Sequence, residues 1–402
     1  MAEHDSDNAA RENDRLARLA LNQAVEPADP AIGRLLEHHA PKDVLSAIHE
    51  DHLAELEPDP TRRARLTERA VGFRLRLEPG RVELALAAAD AVGARFLVPG
   101  DSQWPAALDD LGEQRPIGIW AVGGWPTASV DAISIVGARA CTGYGSYVAG
   151  ALAADLASAG VAVISGAALG IDAAAHRGAL AVGGPTVAVL ACGIDRVYPR
   201  AHEVLLRAIA ERGAVLSELP PGSTPTRFRF LHRNRIIAAL GSGTVVVEAA
   251  RRSGSLVTAR LAAELGRVVM AVPGPVTSDQ SAGTHELVRD GAMLITGASQ
   301  VREACSSLTA TPGPTSATTP RESDSGGRPS SEALDDETID PIEELVIEAL
   351  PTARATVGAD VLALARATGV APETVFAALG RLAATGRAVR AGSGWTLAAG
   401  RR

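Results

Sequence analysis

A chain of 402 residues with 46% hydrophobic residues and a formal charge of −8 is long enough for two or three domains around a large buried core. Its composition excludes wholesale disorder, collagen, a coiled coil and a disulfide scaffold. Aromatic residues are 3%, so the core must be built from Ala, Val, Leu and Ile, and the acidic total argues against a polyanion-binding surface all round while leaving room for a local basic site.

The charged start, MAEHDSDNAARENDR, is unlike a signal peptide, and the long apolar stretch at 161–191 is broken by Asp172, His176 and Arg177. Neither secretion nor a membrane span is expected. The three cysteines, Cys141, Cys192 and Cys305, form no CxxC pair, which argues against structural zinc and suits a reducing cytoplasm. Residues 1–90 predict an N-terminal helical region, and 91–125 a short mixed segment. From about 130 to 300, Val/Ile-rich runs alternate with amphipathic Ala/Leu stretches: AISIVGA, YGSYVAGALAADLASAG, VAVISG, DAAAHRGALAVG, TVAVLACG and onward to VVMAV. This βαβ rhythm predicts an α/β fold, a parallel sheet with helices on both faces, over 91–305. Ligands of such sheets bind where strands end and helices begin. Residues 309–341, rich in Pro, Ser, Thr and Gly, predict a flexible linker that turns acidic at its end, with the preceding domain closing near 305. Residues 342–402 read as two helices, a turn at Val370–Pro372, a helix from Glu373 to about Ala384 and a hairpin, which makes a winged-helix-like module.

Four places could carry chemistry. The first core strand ends in Gly137-Ala138-Arg139, and Gly143-Tyr144-Gly145 opens the next helix. Small residues there let a backbone approach a ligand, free amides suit phosphate, and Arg139 adds a guanidinium; the spacing is not GxGxxG. The second strand ends in Ser165-Gly166, followed by Gly170, Asp172 and His176. Asp172 reads as an N-cap and His176 as its i+4 partner; a Ser165, His176, Asp172 triad lacks the GxSxG turn that would expose the serine. Between 222 and 260, Arg227, Arg229, Arg233, Arg235, Arg251, Arg252 and Arg260 face only Glu248 among acids. Phe228 and Phe230 interleave with them, and arginine for phosphate plus aromatics for base stacking is the composition of a single-strand groove. Either ring could instead be core; both are not expected to be, since alternate positions of an extended segment point to opposite faces. Finally, Ser253-Gly254-Ser255 would offer hydroxyl and amide donors at a helix start.

In order, IVGARACTGYG, SGAALGIDAAAH, AVLACGIDRVYPRAH, LSELPPG, FRFLHRNRIIAALG, EAARRSGSLVTARLA, VPGPV and SAGTHELVRDGA resemble the DprA (Smf) family of bacterial DNA-processing proteins over roughly 95–300. The resemblance implies an extended Rossmann-like domain that binds single-stranded DNA, protects incoming DNA and helps load RecA in natural transformation and recombination. It further implies a homodimer and a SAM-like N-terminal region, with no catalytic turnover, no cofactor and no metal. By matching motif, Arg139, Ser165, Gly166 and Gly170 would lie along the DNA backbone. Arg227 would hold phosphate and Phe230 stack a base beside Arg233, Asn234 and Arg235, with the Ser253, Gly254, Ser255 turn next to the groove. The chain departs from the family at Ala138, at Pro185, where many members carry a lysine suited to phosphate, and around Ala24 to Ala28, where a GIG hairpin is absent. A nucleotide phosphoribohydrolase of a related Rossmann-like group is the alternative, through Gly241-Ser242-Gly243-Thr244 and Glu248. A winged-helix regulator is a third reading, with only Arg381 on the recognition helix to face a duplex.

Overall fold

The computed structural model describes residues 2–124, 131–309, 341–351, 358–368, 370–392 and 394–398. Residues 2–90 hold five helices, α1 (Ala2–Ala24), α2 (Pro30–His38), α3 (Pro41–His49), α4 (Pro60–Arg76) and α5 (Arg81–Asp90). Proline in the first turn starts α2, α3 and α4, where its missing N–H costs nothing, and the Asp29 and Asp59 carboxylates cap α2 and α4. Leu21, Ile32, Val44, Ile48, Leu66 and Phe73 pack into a core of their own.

The chain continues through β1 (Arg95–Leu97), a 3₁₀ segment and β2 (Ile119–Gly123). Alternation then sets in: β3 (Ala132–Val136), α6 (Gly143–Ser158), β4 (Ala162–Ser165), α7 (Ile171–Ala181), β5 (Thr186–Leu190), α8 (Glu203–Arg212), β6 (Ala214–Ser217) and α9 (Arg227–Leu240). It closes with β7 (Gly243–Val246), α10 (Gly254–Glu264), β8 (Val268–Ala271), α11 (Asp279–Arg289), β9 (Met293–Leu294) and α12 (Ala298–Thr309). These strands form one sheet in the order β1-β2-β6-β5-β4-β3-β7-β8-β9. From β6 to β9 every pairing is parallel, and every residue of β3, β4, β5, β6 and β7 is buried, as strands covered by helices on both faces require. The edge departs from the expected parallel sheet. β1 pairs antiparallel with β2, and β2 antiparallel with β6, because the chain folds back without a crossover helix. Cores of Val, Ile, Leu and Ala lie on both faces, including Ile164, Val187 and Leu240 on one and Ile135, Leu152 and Val245 on the other.

The connection from β6 through α9 returns to the far side of β3, so strand order reverses between β3 and β7. A crevice opens at such a point beyond the carboxyl ends of the strands. Beyond α12, which runs past the expected boundary at 305, the linker expected over 309–341 lies almost wholly outside the described residues. The last elements are α13 (Pro341–Ala349), α14 (Val361–Thr368), α15 (Pro372–Ala384), and the hairpin of β10 (Ala388–Ala391) and β11 (Gly394–Leu397). Arg76 joins three regions: Nη2 donates to the Ala367 carbonyl at 2.8 Å and to Glu26 at 2.9 Å, and Nε donates to the Arg366 carbonyl at 3.0 Å. The other Glu26 oxygen accepts from Arg229 Nε of α9 at 3.2 Å.

Under the sheet, His176 is fully buried and its Nδ1 lies 2.7 Å from Thr186 Oγ1, whose hydroxyl donates to the Val163 carbonyl. It does not pair with Asp172, as the i+4 spacing suggested. Burial, with His202 and Arg233 nearby, pushes its pKa down to about 3. The unfolded chain therefore takes up a proton near pH 6.5 that the folded chain refuses, and stability falls as pH drops through that window. Between pH 6.5 and 5 the loss from this residue is about 2 kcal/mol. Urea unfolding at both values should show it, and His176→Asn should flatten the dependence; an equal slope in the variant would refute the assignment.

Candidate nucleic-acid interface

An open cleft of about 1070 Å³ occupies the crevice. The loop after β3 supplies Arg139, the loop after β7 supplies Arg251, Arg252 and Ser253, Gly254 opens α10, and α9 supplies Arg227, Phe230, Arg233 and Asn234. With Arg260 of α10, six arginines line it against one carboxylate, that of Asp172.

Each side chain is set by local structure. Thr226 caps α9 by accepting from Arg229 N at 3.2 Å, so the helix begins at Arg227 and the segment is not extended. On a helix, residues 228 and 230 still diverge by about 200°. Phe228 meets His232, with ring centroids 4.0 Å apart, while Phe230 faces the cleft. The Arg139 guanidinium lies over the Phe230 ring at 4.7 Å and that of Arg233 at 5.6 Å. Tyr198, from the loop after β5, approaches the same ring at 5.7 Å. Arg233 Nη1 donates to the Gly166 carbonyl at 2.8 Å and to that of Val189, tying the ends of β4 and β5 together. Burial lowers its pKa to about 10, which leaves it cationic at neutral pH. Asn234 Nδ2 donates to the Gly254 carbonyl at 3.4 Å, and Ser253 Oγ accepts from Ser255 N at 3.4 Å, capping α10.

Of the expected residues, Arg139, Arg227, Phe230, Arg233, Asn234, Ser253, Gly254 and Ser255 come together in the cleft. Four do not. Ser165 is fully buried, outside the cleft lining, and its hydroxyl donates to the Ile135 carbonyl at 2.6 Å. Gly166 is buried beneath Arg233; a Cβ there would lie 2.5 Å from its guanidinium. Gly170 is needed for its φ of +82° and its close approach to the Ala138 carbonyl, 2.3 Å from where a Cβ would stand. Arg235 is 2% exposed and grips Glu218 with two bonds of 2.7 Å. Arg229 likewise leaves the seven-arginine cluster, held by Glu26 at 2.9 Å. Asp172 is no N-cap, since Gly170 holds that position; its carboxylate accepts from Gly166 N at 3.1 Å and Ala168 N at 3.4 Å and steadies the loop before α7. Burial raises its pKa although Arg233 opposes this. Pro185 precedes β5, at the opposite end of that strand from the cleft. Glu248 is 2% exposed and accepts from Thr142 N at 2.9 Å and Thr142 Oγ1 at 2.6 Å, so it fastens the β3 loop and does not line the cleft. Sequence reasoning missed Tyr198; no composition signal marks it. Among the described residues no group of three His, Cys, Asp or Glu side chains could hold a metal, and no single helix is long and apolar enough to cross a membrane.

Residues 95–306 match the family described as DNA recombination-mediator protein A. The chain is similar to the DNA processing protein DprA of Mycobacterium tuberculosis, 50% identical over 226 residues that cover 52% of this chain and 57% of the relative. It is similar also to that of Streptococcus pneumoniae, 39% identical over 201 residues, covering 50% of this chain and 71% of the relative. The match thus spans little more than half the length of the mycobacterial relative. The X-ray structure of the Streptococcus pneumoniae protein superposes with a TM-score of 0.59 at 29% identity, covering 72% of this chain and 97% of that one.

Proposed function

The chain belongs to the DNA recombination-mediator protein A family, and from that premise we propose that it is a single-stranded-DNA-binding recombination mediator that works without catalytic turnover. The observation that carries this reading is the cleft itself: six arginines and Phe230 against one carboxylate, drawn from the loops after β3 and β7 and from α9 and α10. A mononucleotide needs one phosphate loop, whereas a strand of phosphates uses several in a row. Arginine supplies the phosphate contacts and the aromatic ring a sequence-tolerant surface for bases. A hydrolase would need Glu248 as its base, and that carboxylate is spent on Thr142. In the cell the mediator would act in the cytoplasm as a homodimer, protecting incoming strands and helping to load RecA, while the C-terminal elements form a winged-helix-like module that docks protein rather than reading bases.

Phe230→Ala is expected to cost about 1–3 kcal/mol of affinity for a single strand. Fluorescence anisotropy on labelled oligo-dT measures it, with circular dichroism to show that the fold is kept. Full affinity in a folded variant would contradict stacking at this ring.

A further inference from the structure

Three side chains, Arg139, Arg233 and Tyr198, approach the Phe230 ring. The Phe230 and Tyr198 centroids, 5.7 Å apart and tilted by 56°, are in direct ring contact, so no base can enter between them. Tyr198 itself is 43% exposed at the cleft, and its hydroxyl has no hydrogen-bond partner among the described residues. An amphipathic ring with one apolar body and one unused polar tip, held at the wall of an arginine-rich groove, is suited to a base and its edge.

The loop that carries it is fastened at Gly193, Asp195 and Arg196. Gly193 N donates to the Ser223 carbonyl at 2.9 Å, Gly222 N to Asp195 Oδ1 at 2.8 Å, and Arg196 Nε to the Gly222 carbonyl at 3.0 Å. Below it, Ser217 Oγ donates to the Cys192 carbonyl at 2.7 Å. Its position along the sheet edge also matters. Tyr198 comes from the loop after β5, two strands from β3 in the sheet, whereas Arg139 comes from the loop after β3.

We propose that Tyr198 is a base-stacking residue of the single-strand groove, an aromatic platform that extends the track past Phe230 to the end of β5. This rests on the single-strand reading and adds to it a second stacking position. Stacking depends on the base and not on the phosphate, so the two can be separated. Wild type, Tyr198→Ala and Tyr198→Trp are titrated by anisotropy against labelled oligo-dT and against an abasic strand of equal length and charge. Tyr198→Ala is expected to weaken oligo-dT binding about five- to a hundredfold, to leave abasic binding unchanged, and Tyr198→Trp to restore oligo-dT binding. Equal losses on both strands, or no loss on oligo-dT, would overturn the role of Tyr198 while the single-strand reading stands. Failure of the wild type to bind either strand would overturn both.

Discussion

Arg235→Ala is expected to destabilise the folded protein by about 3–5 kcal/mol, because it strands the Glu218 carboxylate without its partner in a site that water does not reach. Arg235 and Glu218 are 2% and 7% exposed, and the guanidinium also donates to the Gln114 carbonyl at 2.9 Å and the His232 carbonyl at 3.0 Å. Those bonds fasten α9 to the loop after β6 and to the segment before β2. Urea unfolding reads the effect directly. Replacing both partners, Arg235→Met with Glu218→Leu, should recover much of the loss, since an apolar pair removes the stranded charge. A normally stable Arg235→Ala that lost single-strand affinity would instead return this arginine to the groove.

The double variant Arg139→Ala, Arg227→Ala is expected to lose about a hundredfold in single-strand affinity, roughly tenfold for each guanidinium removed from phosphate. Both side chains are exposed at the cleft, so the fold should be unaffected. Phosphate contacts carry no sequence information, and oligo-dT and oligo-dA should therefore weaken alike. The slope of log affinity against log salt should shrink by about 0.7 for each phosphate that is no longer neutralised. Unchanged affinity and slope would place the phosphate track elsewhere on the molecule.

The central sheet is legible in the sequence because fully buried parallel strands read as continuous Val/Ile runs, and TVAVL or AISIV has no other good use. The antiparallel edge is not, since β1 is three residues long and its partner is fixed by tertiary contacts. The helical start of α9 is obscured because Arg and Phe alternate through it, one side serving the cleft and the other the N-terminal helices. Thr226 is the signal that could show it, as a cap before Arg227. The arginine cluster stands out in the sequence, but which members reach the cleft does not. Glu26 lies 203 residues from Arg229, and no local pattern announces such a pair. Glu26 holds Arg76 and Arg229 together. Motif matching places Ser165, Gly166 and Gly170 along the DNA, whereas their small size serves close packing beneath Arg233 and against the β3 loop.

The most direct test titrates the full chain against labelled oligo-dT and a duplex of equal length at two salt concentrations, read by fluorescence anisotropy. A strong preference for the single strand that weakens steeply with salt is the expected result. Equal affinity for both, or binding to neither, would contradict a single-strand groove at the β3 and β7 crevice.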